Sequence, residues 1–422
     1  MFRFINYDFN YDNYIAHFYY QGPDGTEFTE TIEFTKPTTS PDDHHQRLLD
    51  RALFLSFILI GTSYYKAHPT RTVALDFPLD QFQADFFTRV YQEGLSQYAY
   101  ENALTREDLA HFTFTEGYTA EPALATTDNG VLSLQSGGKD SLLTATLLTE
   151  HNIEYTAWYL SSSPHHPAIL DQLGAPLLSA TRHIDTENLR KTAGLTGHVP
   201  ITYIVESLAL IQAILNHDNI VLTSIGQEGN EPHAMIGDLP VNHQWSKTWP
   251  AEQNFAEYVH RYISPDCQAG SPLRGFTELA IAEQFVKKCW DKYGHSFSSC
   301  NVANYQQNTN NTNLTWCGKC AKCANSYLLF APFLPPAELQ SVFAGKDLFA
   351  DPELTDDFKG LLGIGNIIKP FECVGEIPEL RLAYQMRQPG YADLPFSVPN
   401  SDFDYKALRP TQDFVKNLFN FA

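Results

Sequence analysis

Basic residues, long apolar runs and a leader-like start are what this sequence has least of. It carries 28 Lys+Arg against 49 Asp+Glu in 422 residues, a formal net charge of −21. Such a surface repels polyanions over most of its area, so nucleic acid is not the expected partner. The longest apolar run, Ala52 to Ile60, is interrupted by Ser56 and is too short to cross a bilayer core of about 30 Å. A core helix is expected there, and no membrane partner. The opening MFRFINYDFNYDN lacks the basic segment and apolar stretch of a secretory signal. There is no internal repeat and no low-complexity tract. The seven cysteines include a tight cluster that suits metal better than disulfides. A cytoplasmic location fits these facts.

What is present describes a folded protein: 43% hydrophobic and 13% aromatic, with 29 Phe and 22 Tyr, over a length sufficient for about two or three domains. Residues 1–122 read as an α+β domain. Ile5, Tyr7 and Phe9, then Ala16, Phe18 and Tyr20, then Phe28, Ile32 and Phe34 alternate as strands, with Asp24-Gly25 as a turn. Ser40-Pro41-Asp42-Asp43 reads as a helix start, with Pro at the first helical position and the helix running to about Gly61. Val73, Leu75 and Phe77 alternate again, and an aromatic stripe through Phe82, Phe86 and Val90 beside Phe87, Tyr91, Leu95 and Tyr98 reads as core.

From 123 to 330 strands and helices alternate, which predicts an α/β unit with a mainly parallel sheet covered on both faces. Predicted strands lie at Tyr155–Leu160 and Asn219–Ile225, and predicted helices near Ala168–Leu173 and Tyr203–Leu215. Ligands of open α/β sheets sit beyond the carboxyl ends of the strands, which places Ser136–Ser141, Ser161–Ser163 and Gly226–His233 around one crevice. Residues 331–422 form a C-terminal segment that starts Pro-rich and is expected to contribute to the substrate site.

The centre of that middle unit is Val131–Leu148, where VLSL leads through QSGGKDS into LLTATLL. Strand, glycine turn and helix start make backbone N–H groups converge on one point, with the positive end of the helix dipole aimed there, so the turn suits an anion. The spacing is not that of a Walker A loop. It resembles the SGGxDS loop of the PP-loop ATP pyrophosphatases, an adenine nucleotide α-hydrolase-like fold. The resemblance assigns Ser136, Gly137, Gly138, Lys139, Asp140 and Ser141 to ATP binding.

Cys317, Cys320 and Cys323 in WCGKCAKC, with Cys300 in FSSCN, offer four thiols. Four sulfur ligands close a tetrahedral Zn²⁺ site without an open position, so a structural zinc pinning the loop 301–316 is expected. Uncoordinated buried cysteines are the alternative. GQEGNEPH supplies Glu228, Glu231 and His233, and VNHQWSKTW supplies His243 and Lys247. These are acid, base and phosphate-binding types close to the predicted crevice. Cys373, between Glu372 and Glu376, has a side chain whose thiolate can remove an α-proton, and burial in a core accounts for it equally. His44-His45 and His165-His166 read as surface or helix-end residues.

SYYKA at 63–67, SGGKDS, VNHQWSK at 241–247, SSCN at 298–301, WCGKCAKC and KPFECVGE at 369–376 occur in an order that resembles one family. That family is the ATP-dependent UDP-N-acetylmuramoyl-L-alanyl-L-glutamate epimerases of bacterial peptidoglycan synthesis (MurL). The resemblance implies ATP and UDP-MurNAc-L-Ala-L-Glu as partners, with Mg²⁺ on the ATP phosphates. It implies adenylation of the α-carboxylate and exchange of the α-proton. The candidate catalytic residues are then Asp140 and Cys373, with His243 and Lys247 contacting substrate or phosphate. Two other readings stay open: a PP-loop enzyme that amidates or thiolates a deazaguanine or tRNA base, and a zinc-stabilised binding protein.

Overall fold

The computed structural model of the chain describes residues 1–227, 229–306 and 312–419. Its first strands are β1 (Phe2–Asn10), β2 (Ile15–Gln21) and β3 (Glu27–Phe34), an antiparallel meander. Their inward faces are aromatic: Phe2, Phe4, Phe18, Tyr20, Phe28 and Phe34 are all buried. Strict alternation predicts a buried Ile5, yet Ile5 is 44% exposed. The cause is a register shift between Phe4 and Asn6, an irregularity that moves the inward face by one residue. Phe2 and Phe4 therefore point inward before it, while Tyr7 and Phe9 pack on the core after it.

Helix α1 (Asp43–Tyr65) crosses this face. Its N-cap is Asp42, which accepts from the His45 backbone N–H at 2.9 Å, so Pro41 lies ahead of the helix rather than at its first position. By length and composition α1 is apolar enough to cross a membrane, but 83% of that stretch is buried inside the protein, as a core helix requires. After β4 (Val73–Leu75), which lies parallel to β1, α2 (Gln81–Gln92) and α3 (Ser96–Glu101) carry the predicted aromatic stripe into the core, with Phe82 half-buried at its edge.

The α/β unit follows as β5 (Val131–Leu134), α4 (Lys139–Glu150), β6 (Thr156–Ser161), β7 (Leu177–His183), α5 (Thr186–Lys191), α6 (Ile201–Leu215) and β8 (Ile220–Leu222). A hairpin of β9 (Ala234–Ile236) and β10 (Leu239–Val241), then α7 (Trp249–Tyr258) and β11 (Gln268–Gly270), continue it. The main sheet has nine strands in the order β11-β8-β5-β6-β7-β3-β2-β1-β4. It is parallel from β11 to β7 and antiparallel where β3 joins β7. The sheet thus runs unbroken across residue 122, through β7, a strand that the alternation pattern does not announce.

Alternate residues of the parallel strands enter two different cores. Leu132, Trp158 and Val221 face α1, α2, α6 and α7, whereas Val131, Ala157, Tyr159 and Leu222 face the other side. That second core is covered by α4 and by the helices that follow in the chain: α8 (Glu278–Lys288), α9 (Trp290–Tyr293), α10 (Ala321–Phe330), α11 (Pro336–Val342), α12 (Thr355–Leu361), α13 (Ile377–Met386) and α14 (Asp413–Phe419). Burial on both faces is what a parallel sheet demands. Near the end of the chain Gln412 donates to the Ala269 carbonyl of the edge strand β11 at 2.9 Å, which blunts that edge.

Candidate functional site

The strand order reverses between β5 and β8: α4 leads from β5 to β6 on one side, and α6 leads from β7 back to β8 on the other. The carboxyl ends of β5 and β8 therefore open the crevice where α/β sheets hold ligands. The SGGKDS turn lies there. Gly137 adopts φ +78°, a conformation that costs glycine little and other residues more. An added Cβ would lie 2.5 Å from Leu314 Cδ1 and 2.9 Å from Ile169 Cγ2. The turn is closed by Ser141 Oγ, which accepts from the Ser136 N–H at 3.3 Å and donates to the Gly138 carbonyl at 3.2 Å. No side chain caps α4 at Gly138, whereas Asp80, Thr248 and Thr277 cap α2, α7 and α8.

Beside this turn is a cleft of about 310 Å³ lined by Gln135, Ser136, Trp158, Ser161, Ser162 and Arg182 among others. Gln135 Oε1 and Trp158 Nε1 are buried there without a hydrogen-bond partner. Buried polar atoms cost free energy unless a partner reaches them. Lys139 is turned inward: its ammonium contacts Asp140 at 2.5 Å and the buried Glu278 at 2.7 Å. Burial by itself lowers its pKa, but those two carboxylates overcompensate and raise it, so it stays charged and orients Asp140.

A second group of side chains gathers at the loops after β8. Arg274, wholly buried, donates to the carbonyls of Gly226 at 2.8 Å and Lys247 at 2.9 Å and pairs with Glu252. It thereby fixes both loops. His243 Nδ1 lies 2.6 Å from Gln97 Oε1, and its ring centroid is 4.4 Å from that of His198 and 6.3 Å from that of His233. His233 stacks on Phe371. Burial, reinforced by the charges of His243 and Lys66, holds His198 at about 3. Burial with the charges of Lys369 and His243 holds His233 at about 3. Both imidazoles are therefore neutral at neutral pH.

Cys373 joins this group. Burial alone would raise its pKa, but the Lys247 charge, a hydrogen bond from His243 and the Lys322 charge bring the thiol down to about 6. A thiol in that environment is a thiolate at neutral pH. The Lys322 ammonium also donates to the Cys373 carbonyl. Glu231 holds the same segment in place, pairing with Lys369 at 2.9 Å and accepting from the Ile377 N–H at 3.1 Å. Glu228 lies outside the described residues.

Cys300, Cys317, Cys320 and Cys323 bring their sulfurs within 4.8 Å of one another. Cys300–Cys320, Cys317–Cys323 and Cys320–Cys323 are 3.8, 3.7 and 3.6 Å apart. A tetrahedron with Zn–S of roughly 2.3 Å has edges of about 3.8 Å, so the donor set fits zinc. Backbone N–H groups of Ala303, Gly318 and Lys319 point at three of the sulfurs, as thiolates require. Part of the loop expected to be pinned, 307–311, lies outside the described residues.

The SSCN segment connects these parts. The Ser298 N–H donates to the Gly137 carbonyl at 3.4 Å, and Asn301 Nδ2 donates to Glu372 at 3.0 Å. Lys322, on the helix that starts at the cysteine cluster, reaches Cys373. The glycine turn, the thiol with its imidazoles and the metal-ligand cluster are thus one connected structure. Sequence reading missed His198, Gln97 and Arg274, which sit in no local pattern, and passed over Lys322 and Phe371 within WCGKCAKC and KPFECVGE. His165 and His166 stay outside: His166 pairs with Asp171 at 2.8 Å near the surface.

The chain matches two family descriptions, the MurL N-terminal domain over residues 1–270 and the MurL C-terminal domain over 296–395. It is similar to proteins named UDP-N-acetyl-alpha-D-muramoyl-L-alanyl-L-glutamate epimerase. The one from Xanthomonas oryzae pv. oryzae is 32% identical over 386 residues, covering 90% of this chain and 84% of the relative. The one from Salinispora tropica is 32% identical over 402 residues, covering 93% and 86%. The one from a Micromonospora species is 32% identical over 373 residues, covering 86% and 81%.

Proposed function

The chain belongs to the MurL family, and on that premise we propose that it epimerises the terminal L-Glu of UDP-MurNAc-L-Ala-L-Glu to D-Glu through an α-carboxyl adenylate. The relatives' names support the substrate and the reaction class. The observation that carries the mechanism is Cys373, a thiol drawn to about 6 by Lys247 and His243 in the same connected structure as the SGGKDS turn.

The α-proton of a glutamate bearing a free carboxylate is scarcely acidic, because the carbanion would lie beside a negative charge. ATP would supply the remedy, with Mg²⁺ when bound screening its phosphates: the α-carboxylate would attack the α-phosphorus, pyrophosphate would leave, and the resulting mixed anhydride would be uncharged at that oxygen and accept electron density. The backbone N–H groups at Ser136–Ser141 would hold the phosphates, and Asp140, oriented by Lys139, would hold the metal ion. Lys247 and His243 neutralise charge beside the reacting carboxyl. The Cys373 thiolate removes the Cα proton and becomes the thiol, an acid on the opposite face gives its proton to Cα, and the thiol then loses a proton to solvent while that acid regains one from it. Water then cleaves the anhydride to the carboxylate and AMP. Nucleotide-linked substrates and ATP fit a cytoplasmic enzyme.

The test is turnover with ATP, Mg²⁺ and UDP-MurNAc-L-Ala-L-Glu in D₂O, following AMP, glutamate chirality and deuterium at Cα. AMP together with deuterated D-Glu is expected, and Asp140→Asn is expected to abolish AMP release. Normal AMP release by Asp140→Asn would remove the adenylation reading.

A further inference from the structure

The sequence places His45 at a helix end with no further role, yet its side chain is only 13% exposed. It faces Asp128, just ahead of β5, and His217, in the turn ahead of β8. We propose that His45, Asp128 and His217 form a second divalent-metal site, suited to Zn²⁺, at the amino-terminal ends of the parallel strands and so at the far end of those strands from the candidate active site.

The donor atoms converge. His45 Nε2 lies 3.1 Å from both oxygens of Asp128. His217 Nδ1 lies 3.0 Å from His45 Nε2 and 3.2 Å from Asp128 Oδ1. Tetrahedral Zn²⁺ with N and O ligands at roughly 2.0–2.1 Å has edges of about 3.3 Å, and all three separations come within a few tenths of an ångström of that. Two imidazoles and one carboxylate are a borderline donor set that favours zinc over magnesium or calcium.

A second observation concerns orientation. The other ring nitrogen of His45, Nδ1, lies 2.8 Å from Asp42 Oδ1. A carboxylate there fixes the tautomer with Nε2 free to coordinate, as the outer partners of metal-bound histidines do. His217 is held at φ +61°, a backbone state uncommon for residues other than glycine, and this state aims its ring at His45. The His217 side chain is 37% exposed while Asp128 is 10% exposed. The three donors thus lie at the edge of the protein, with His217 the side in reach of water for a fourth ligand. A metal here would join the first turn of α1 to the starts of two central strands.

The experiment uses the full-length protein with its cysteine cluster loaded with zinc, and titrates Zn²⁺ alone. One further equivalent is expected to bind, giving two zinc per chain after desalting. Co²⁺ added in its place is expected to show visible d–d bands without a thiolate charge-transfer band. His217→Asn, chosen because asparagine tolerates the same backbone state, and Asp128→Asn are each expected to lose the second equivalent and keep the first. Asp42→Asn is expected to weaken it roughly 10–100-fold. A wild-type stoichiometry of one, or a second equivalent that survives both His217→Asn and Asp128→Asn, overturns the proposal.

Discussion

At the scale of single residues the proposed chemistry turns on Cys373. A thiol shielded from water among neutral neighbours keeps its proton, and the Lys247 charge, the hydrogen bond and charge of His243 and the Lys322 charge reverse that tendency. A base with its pKa lowered to about 6 is active above that pH, so the rate of Cα deuterium incorporation should rise through about pH 6 and level off above about pH 7. Removing the largest of the lowering charges, with Lys247→Gln, should move that limb to higher pH. Cys373→Ser should still release AMP while incorporating deuterium at least about 100-fold more slowly, the range general-base loss spans. Unchanged exchange in Cys373→Ser would transfer the role of base to another residue.

At the scale of elements, the strand-turn-helix unit is governed by one backbone angle. Gly137→Ala would place a methyl in the left-handed region and against Leu314 and Ile169. The conformational part costs about 1–2 kcal/mol, and the contact displaces the wall of the turn. We expect a fall in the midpoint of chemical unfolding of that order and loss of ATP-dependent AMP release. A variant with wild-type stability and turnover would show that the turn relaxes freely and does not require glycine. The same unit shows what local sequence determines well. VLSL, the glycine pair and the apolar run of α4 announce strand, turn and helix because each depends on neighbours within a few residues. The irregularity in β1 is not legible in the same way, since it belongs to the pairing with β2.

At the scale of the whole molecule, one seam joins the aromatic meander to the parallel sheet. Across it Arg182 of β7 and Glu30 of β3 form a buried ion pair, with Nε–Oε1 at 2.5 Å, and Arg182 also donates to Ser63 of the SYYKA segment at 2.9 Å. Removing one member strands the other charge in the interior, which costs about 3–5 kcal/mol. Glu30→Gln should therefore lower stability to denaturant by about that amount, and Glu30→Gln/Arg182→Met should be less destabilised than Glu30→Gln alone. If the double variant is the weaker of the two, the pair is net stabilising rather than a charge pair that apolar packing can replace.

The sequence by itself determined the α/β class, the glycine turn suited to an anion, the metal-type thiol spacing and the family resemblance, because each is written in residues close together along the chain. Only the tertiary structure decided that residues 1–122 share one sheet with the rest and that His198, Gln97 and Lys322 stand beside His243 and Cys373. It alone brought His45, Asp128 and His217 to one point. These last arrangements depend on contacts between segments that lie tens to hundreds of residues apart. They are set by which faces of the sheet and helices must be buried together, and no local pattern of residue types carries that information.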